Sequence, residues 1–85
     1  MEFSDSQKID ICVKVLEEYL RRCDEQTRTR HLSVLRAEKE GWVEYQLTMW
    51  AAADIQKKYS FDIWDLPIYF AIDVWVELDA KFSSQ

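Results

Sequence analysis

One glycine, Gly41, and one proline, Pro67, are all that this chain of 85 residues has for turning sharply. Glycine enters the left-handed region without penalty and proline presets the first corner of a turn, so a chain poor in both makes few hairpins. Leu, Ala, Glu, Lys, Gln and Arg, which lose little side-chain freedom in a helix, supply much of the chain instead. The sequence therefore predicts an all-α fold, a compact bundle of three to four helices in one small domain over residues 1–85. An α+β alternative, with a hairpin around Gly41, stays open.

The apolar share of 48% is ample for a core, while 32% charged residues argue against both disorder and a membrane protein. No uncharged apolar run reaches the length of a membrane span. Met1-Glu2-Phe3-Ser4-Asp5 has neither the basic patch nor the apolar stretch of a signal peptide, so a cytoplasmic location is expected, with no membrane partner.

The clearest helix lies near the N-terminus. Ser4 and Gln7 have capping-box spacing, and Asp5 places negative charge where the helix dipole favours it. Ile9, Cys12, Val13, Leu16, Leu20 and Cys23 then recur along one stripe, with Ile11, Val15 and Tyr19 forming a second, narrower line. Two apolar lines on one helix predict two neighbours. Cys12 and Cys23 share the stripe but stand about 16 Å apart along the axis, too far for a disulfide between them. Both are read as reduced core cysteines.

Residues 24–31 contain no aliphatic side chain and read as a loop or a solvated helical start. A short helix is expected to follow through Leu32, Leu35 and Lys39, ending at Gly41. Over 42–59 two patterns compete. Val43, Tyr45, Leu47 and Met49 alternate with polar residues as in a strand. On a helical wheel, Glu44, Thr48, Ala51, Ile55 and Lys58 make a narrow polar strip, with Trp42, Val43, Tyr45, Leu47, Met49, Trp50 and Ala53 on a broad apolar face. Ala51-Ala52-Ala53 and the Lys57-Lys58 finish favour the helix. Residues 72–78 alternate in the same way, yet Asp65 as an N-cap and Pro67 in a first turn favour a helix. Its apolar face would carry Ile68, Ala71, Ile72, Trp75, Leu78 and Phe82.

Enzyme chemistry finds little to work with. His31, the only histidine, stands in a basic segment and reads as a surface residue; no triad with a choice of partners and no two-histidine metal site follows from it. A single glycine cannot build a Walker loop or a dinucleotide fingerprint. Asp73 and Glu77 share a helix face at i, i+4, a spacing open to a divalent cation but common on solvated faces. No catalytic residue, metal ligand or cofactor is expected, and the chain is read as not an enzyme.

Aromatic residues and charge point elsewhere. Ten of the twelve Phe, Tyr and Trp lie from Trp42 onward, densest at Tyr59, Phe61, Trp64, Tyr69, Phe70 and Trp75. A small domain hides so many large rings with difficulty, and Trp and Tyr are enriched where proteins bind. Phe61, Trp64, Tyr69 and Trp75 are thus candidates for contact with a second copy, as a homodimer, or with another protein. Charge runs acidic, basic, acidic. Arg21, Arg22, Arg28, Arg30, Arg36 and Lys39 oppose only Asp24, Glu25 and Glu38 in the middle segment, and acids dominate on either side. Arg28 and Arg30 are the second set of contact candidates. A nucleic-acid role for the 21–39 segment is the alternative, set back by the net charge of −5. The simpler expectation is that this segment faces the acidic C-terminal half, within the chain or across a dimer.

Gly41-Trp42-Val43-Glu44-Tyr45, with Leu47, is similar to a short stretch of the barstar family of acidic intracellular ribonuclease inhibitors. The acidic binding helix that precedes the stretch in that family is replaced here by Leu35-Arg36-Ala37-Glu38-Lys39. That family also opens with a strand where this chain opens with a helix, so no functional residue carries over.

Overall fold

The computed structural model describes residues 2–37 and 45–83, with the side chains of 45–47, 68 and 69 excepted. Among the described residues four α-helices, α1 (Asp5–Arg22), α2 (Glu25–Ala37), α3 (Tyr45–Tyr59) and α4 (Ile68–Ser83), make an all-α bundle, with a 3-10 turn at Ile63–Asp65. No strand occurs among the described residues, so 45–49 and 72–78 are helical in spite of their alternation. Gly41 and residues 38–44, where a hairpin or a helix end was expected, lie outside the described residues.

Helix α1 starts as its sequence predicts. Ser4 Oγ accepts from the Gln7 amide at 3.2 Å, and Gln7 Oε1 accepts from the Ser4 amide at 2.8 Å, satisfying two donors the first turn would otherwise leave open. Its two apolar lines meet two main neighbours, α3 and α4, with a lesser contact to α2. Tyr19 late in α1 stacks on Trp50 early in α3, while Phe3 before α1 packs edge-on against Tyr59 at the end of α3. These two helices therefore run antiparallel. Lys81 of α4 reaches Glu17 of α1 at 3.6 Å.

Helix α2 begins well before the expected short helix. Asp24 Oδ1 accepts from the Thr27 amide at 2.7 Å and thereby caps a helix whose first turn has no aliphatic residue to announce it. Once the helix is set from Glu25, His31, Leu32 and Leu35 fall on one face, and all three are buried. His31 is thus a core residue at 4% exposure, not the surface residue its basic neighbours suggested. Local charge marks a segment as solvated; the helical period decides which of its side chains turns in.

Helix α3 reverses the sequence-based assignment of faces. Thr48, Ala51, Ala52 and Ile55 are buried, whereas Met49, Trp50 and Ala53 stand outside. Small side chains on the inner face let two helix axes approach closely, and the larger residues are then left on the outer face. Ser60 closes the helix at φ 60°, donating its amide to the Gln56 carbonyl at 3.2 Å, the left-handed end that Gly most often supplies.

The start of α4 differs in detail. Asp65 belongs to the 3-10 turn instead of capping α4, and that turn is itself capped by Asp62, which accepts from the Trp64 amide at 3.0 Å. Pro67 sits just before Ile68, where it needs no amide hydrogen, and its carbonyl accepts from the Phe70 amide at 3.0 Å. Phe70, Ala71, Val74, Trp75 and Leu78 are buried, but Ile72, expected on this face, is exposed. Leu16 and Leu20 of α1, Leu35 of α2, Ile55 of α3, Ile63 and Trp75 complete one continuous core.

Candidate functional site

The four aromatic candidates part company. Trp75 is 0% exposed and belongs to the core, so it is withdrawn as a contact residue: position 75 lies on the same stripe as Ala71 and Leu78, which faces the other helices. Trp64 is 43% exposed. It sits in the 3-10 turn next to Ile63, which is fully buried, and the Asp62 cap holds the turn that sends one neighbour in and the other out. Phe61 is half-buried against the core edge, meeting Phe3 edge-on at 6.1 Å between ring centres, with Lys8 Nζ 5.8 Å from its own ring centre. Phe61 and Trp64 thus belong to one short segment. Tyr69 lies in α4, but its side chain is outside the described residues.

Most of the arginines are engaged by neighbouring groups of the fold. Arg28 Nη1 donates to the Leu20 and Cys23 carbonyls, both at 3.4 Å, and so closes the carbonyl end of α1 where positive charge suits the dipole. Arg30 is exposed. Arg21 holds Glu17 at 2.7 Å and lies over the Phe82 ring; Arg22 lies over the Tyr19 ring. Arg36 Nε donates to Asp79 Oδ1 at 2.6 Å, with the Ser83 hydroxyl accepting from Arg36 and donating to the same carboxylate. The basic segment therefore does face the acidic C-terminal helix within the chain, at Arg36 and Asp79.

Titratable groups follow from these contacts. The Arg21 hydrogen bond, helped by Lys81, holds the Glu17 carboxyl below its usual range against a smaller desolvation effect. The Thr27 amide does the same for Asp24. Burial, then the nearby Asp54 carboxylate, raises the Tyr19 phenol. Burial alone pushes the Cys12 thiol up to about 12, so it stays protonated and unreactive. Cys23 is half-buried, with Sγ donating to the Tyr19 carbonyl at 3.3 Å; both thiols are free. Asp73 and Glu77 are exposed on α4, and no group of three or more His, Cys, Asp or Glu among the described residues is placed to hold a metal. No described helix is long and apolar enough to cross a membrane.

Sequence reasoning overlooked four exposed apolar residues: Met49 and Trp50 on α3, and Ile72 and Val76 on α4. A signal for them existed in the pattern. Both helices carry apolar residues on more than one face, and no helix in a bundle this small can bury every face. Compared with known proteins, the chain matches no family model, no curated protein and no solved structure.

Proposed function

We propose that this chain is a non-enzymatic, cytoplasmic protein-interaction module: a self-associating adaptor, regulator or inhibitor that pairs with a second copy of itself. The observation that carries it is Trp64, 43% exposed on a capped 3-10 turn beside Phe61. A large ring presented on a short rigid turn brings contact area at little entropic cost, which is why Trp dominates binding hot spots. Closed two-fold pairing is the commonest assembly of soluble homo-oligomers. The pairing of Arg21 with Glu17 and of Arg36 with Asp79, and the hydrogen bonds of Arg28 to the carbonyl end of α1, speak against nucleic acid as the partner, since arginines that bind it must neutralise phosphate.

Sedimentation equilibrium over micromolar concentrations tests the proposal. A monomer–dimer equilibrium is expected, shifted toward monomer by Trp64→Ala. A monomer mass at every concentration removes the self-association, and a tight salt-sensitive complex with nucleic acid at low salt would transfer the function to the basic segment.

A further inference from the structure

Helix α4 is apolar on two opposite sides. Its inner side, with Phe70, Val74, Trp75 and Leu78, fills the core, while Ile72 and Val76 lie one turn apart on the outer side, Val76 at 51% exposure. Val76 also lines an open groove of about 480 Å³ between α4 and the start of α1. Ile9 contributes the apolar wall from α1, and the rim carries Ser6, Asp10, Asp73 and Glu77. An apolar pair, Val76 and Ile9, flanked by the carboxylates of Asp73 and Glu77 at i, i+4 spacing and continued outside the groove by exposed Ile72, has the form that receives the apolar face of an amphipathic helix. The carboxylates select the sign of that helix. The next groove along α1 is lined by Lys14 and Lys81 as well as Val13, Asp10, Glu17 and Glu77; Glu17 is already held by Arg21 and Lys81, which leaves Asp10, Asp73 and Glu77 against Lys14 across the two grooves. Lys81 is turned toward Glu17 at 3.6 Å.

We propose that this face of α1 and α4 docks a cationic amphipathic helix of a different protein. A second copy pairing through the same face would bring Asp10, Asp73 and Glu77 of both chains together, since a two-fold contact uses one patch on each side. Like charges so placed repel. Trp64 lines neither groove, so the proposal goes beyond the self-pairing proposed above and is tested independently of it.

The probe is a fluorescein-labelled leucine–lysine peptide of about five helical turns, amphipathic on the helical repeat, with a leucine–glutamate peptide of the same pattern as its control. Fluorescence anisotropy should show the lysine peptide binding and the glutamate peptide not. Asp73→Lys with Glu77→Lys should weaken binding by about tenfold or more, the loss expected when attraction at a rim becomes repulsion. Val76→Asp should abolish it. Glu18→Lys with Asp65→Lys changes net charge equally at exposed sites that line neither groove and should leave binding nearly intact, and Trp64→Ala should too. Circular dichroism checks that each variant is folded; where Val76→Asp is not, Val76→Ser takes its place. Equal losses in the two charge-reversed variants, or no binding at all, overturn the proposal. So does a shift of the wild-type dimer mass on Val76→Asp or its Ser substitute, which would give this face to a second copy.

Discussion

Ser60 stands at φ 60°, a conformation that costs a residue with a Cβ about 1–2 kcal/mol. It ends α3 there because the chain must turn toward Ile63, which packs against the core. Ser60→Gly should therefore raise the urea midpoint, by up to about 1 kcal/mol of stability after the extra freedom of glycine in the unfolded chain is counted. A lower midpoint would mean that the serine side chain contributes more than its backbone costs. Trp64 and Trp75 make the contrast of environment at this scale. The same ring is surface in a 3-10 turn and core on a helix face: Trp75 shares its stripe with Ala71 and Leu78, whereas Trp64 stands next to buried Ile63 in the turn that Asp62 caps.

Among the elements, α1 was the most legible and α2 the least. The Ser4–Gln7 box and the stripe behind it lie within single turns of one helix, so spacing alone identifies them. Helix α2 has a weak stripe, and its start depends on Asp24, one acid among several in a charged stretch. Both helices share an acid-sensitive support. Glu17 and Asp24 titrate below their usual range in the folded chain, so the stability they add is full above their unfolded range and is lost as pH falls through the folded one. The urea midpoint should accordingly stay level down to about pH 5 and drop below it. Glu17→Gln combined with Asp24→Asn should lower the neutral midpoint and flatten that acid limb. An unchanged acid limb in the double variant would place the sensitivity in other carboxylates.

For the molecule as a whole, stability rests on one core, built from side chains of α1, α2, α3, α4 and the 3-10 turn, with Trp75 its largest fully buried member. Truncating a fully buried Trp costs about 3–5 kcal/mol, a large part of what a domain of this size holds. Trp75→Ala should thus unfold the chain or lower its thermal midpoint steeply by circular dichroism. Trp64→Ala should move the midpoint only slightly under dilute, monomeric conditions, as exposed substitutions do within about 0.5 kcal/mol. Similar losses in the two variants would contradict the placement of Trp64 at the surface.

The scarcity of Gly and Pro, the helix-forming composition and the caps determined that the chain would be helical, because hydrogen bonding within a helix is local and its signals lie three or four residues apart. The tertiary structure decided which face of each helix turned inward. In α3 the hydrophobic wheel favours Met49, Trp50 and Ala53, yet the bundle buries Thr48, Ala51, Ala52 and Ile55. In α4 Ile72 and Val74 are equally apolar, and only Val74 is inside. Burial depends on how closely neighbouring axes approach and on the volume between them, and both belong to the packed bundle as a whole.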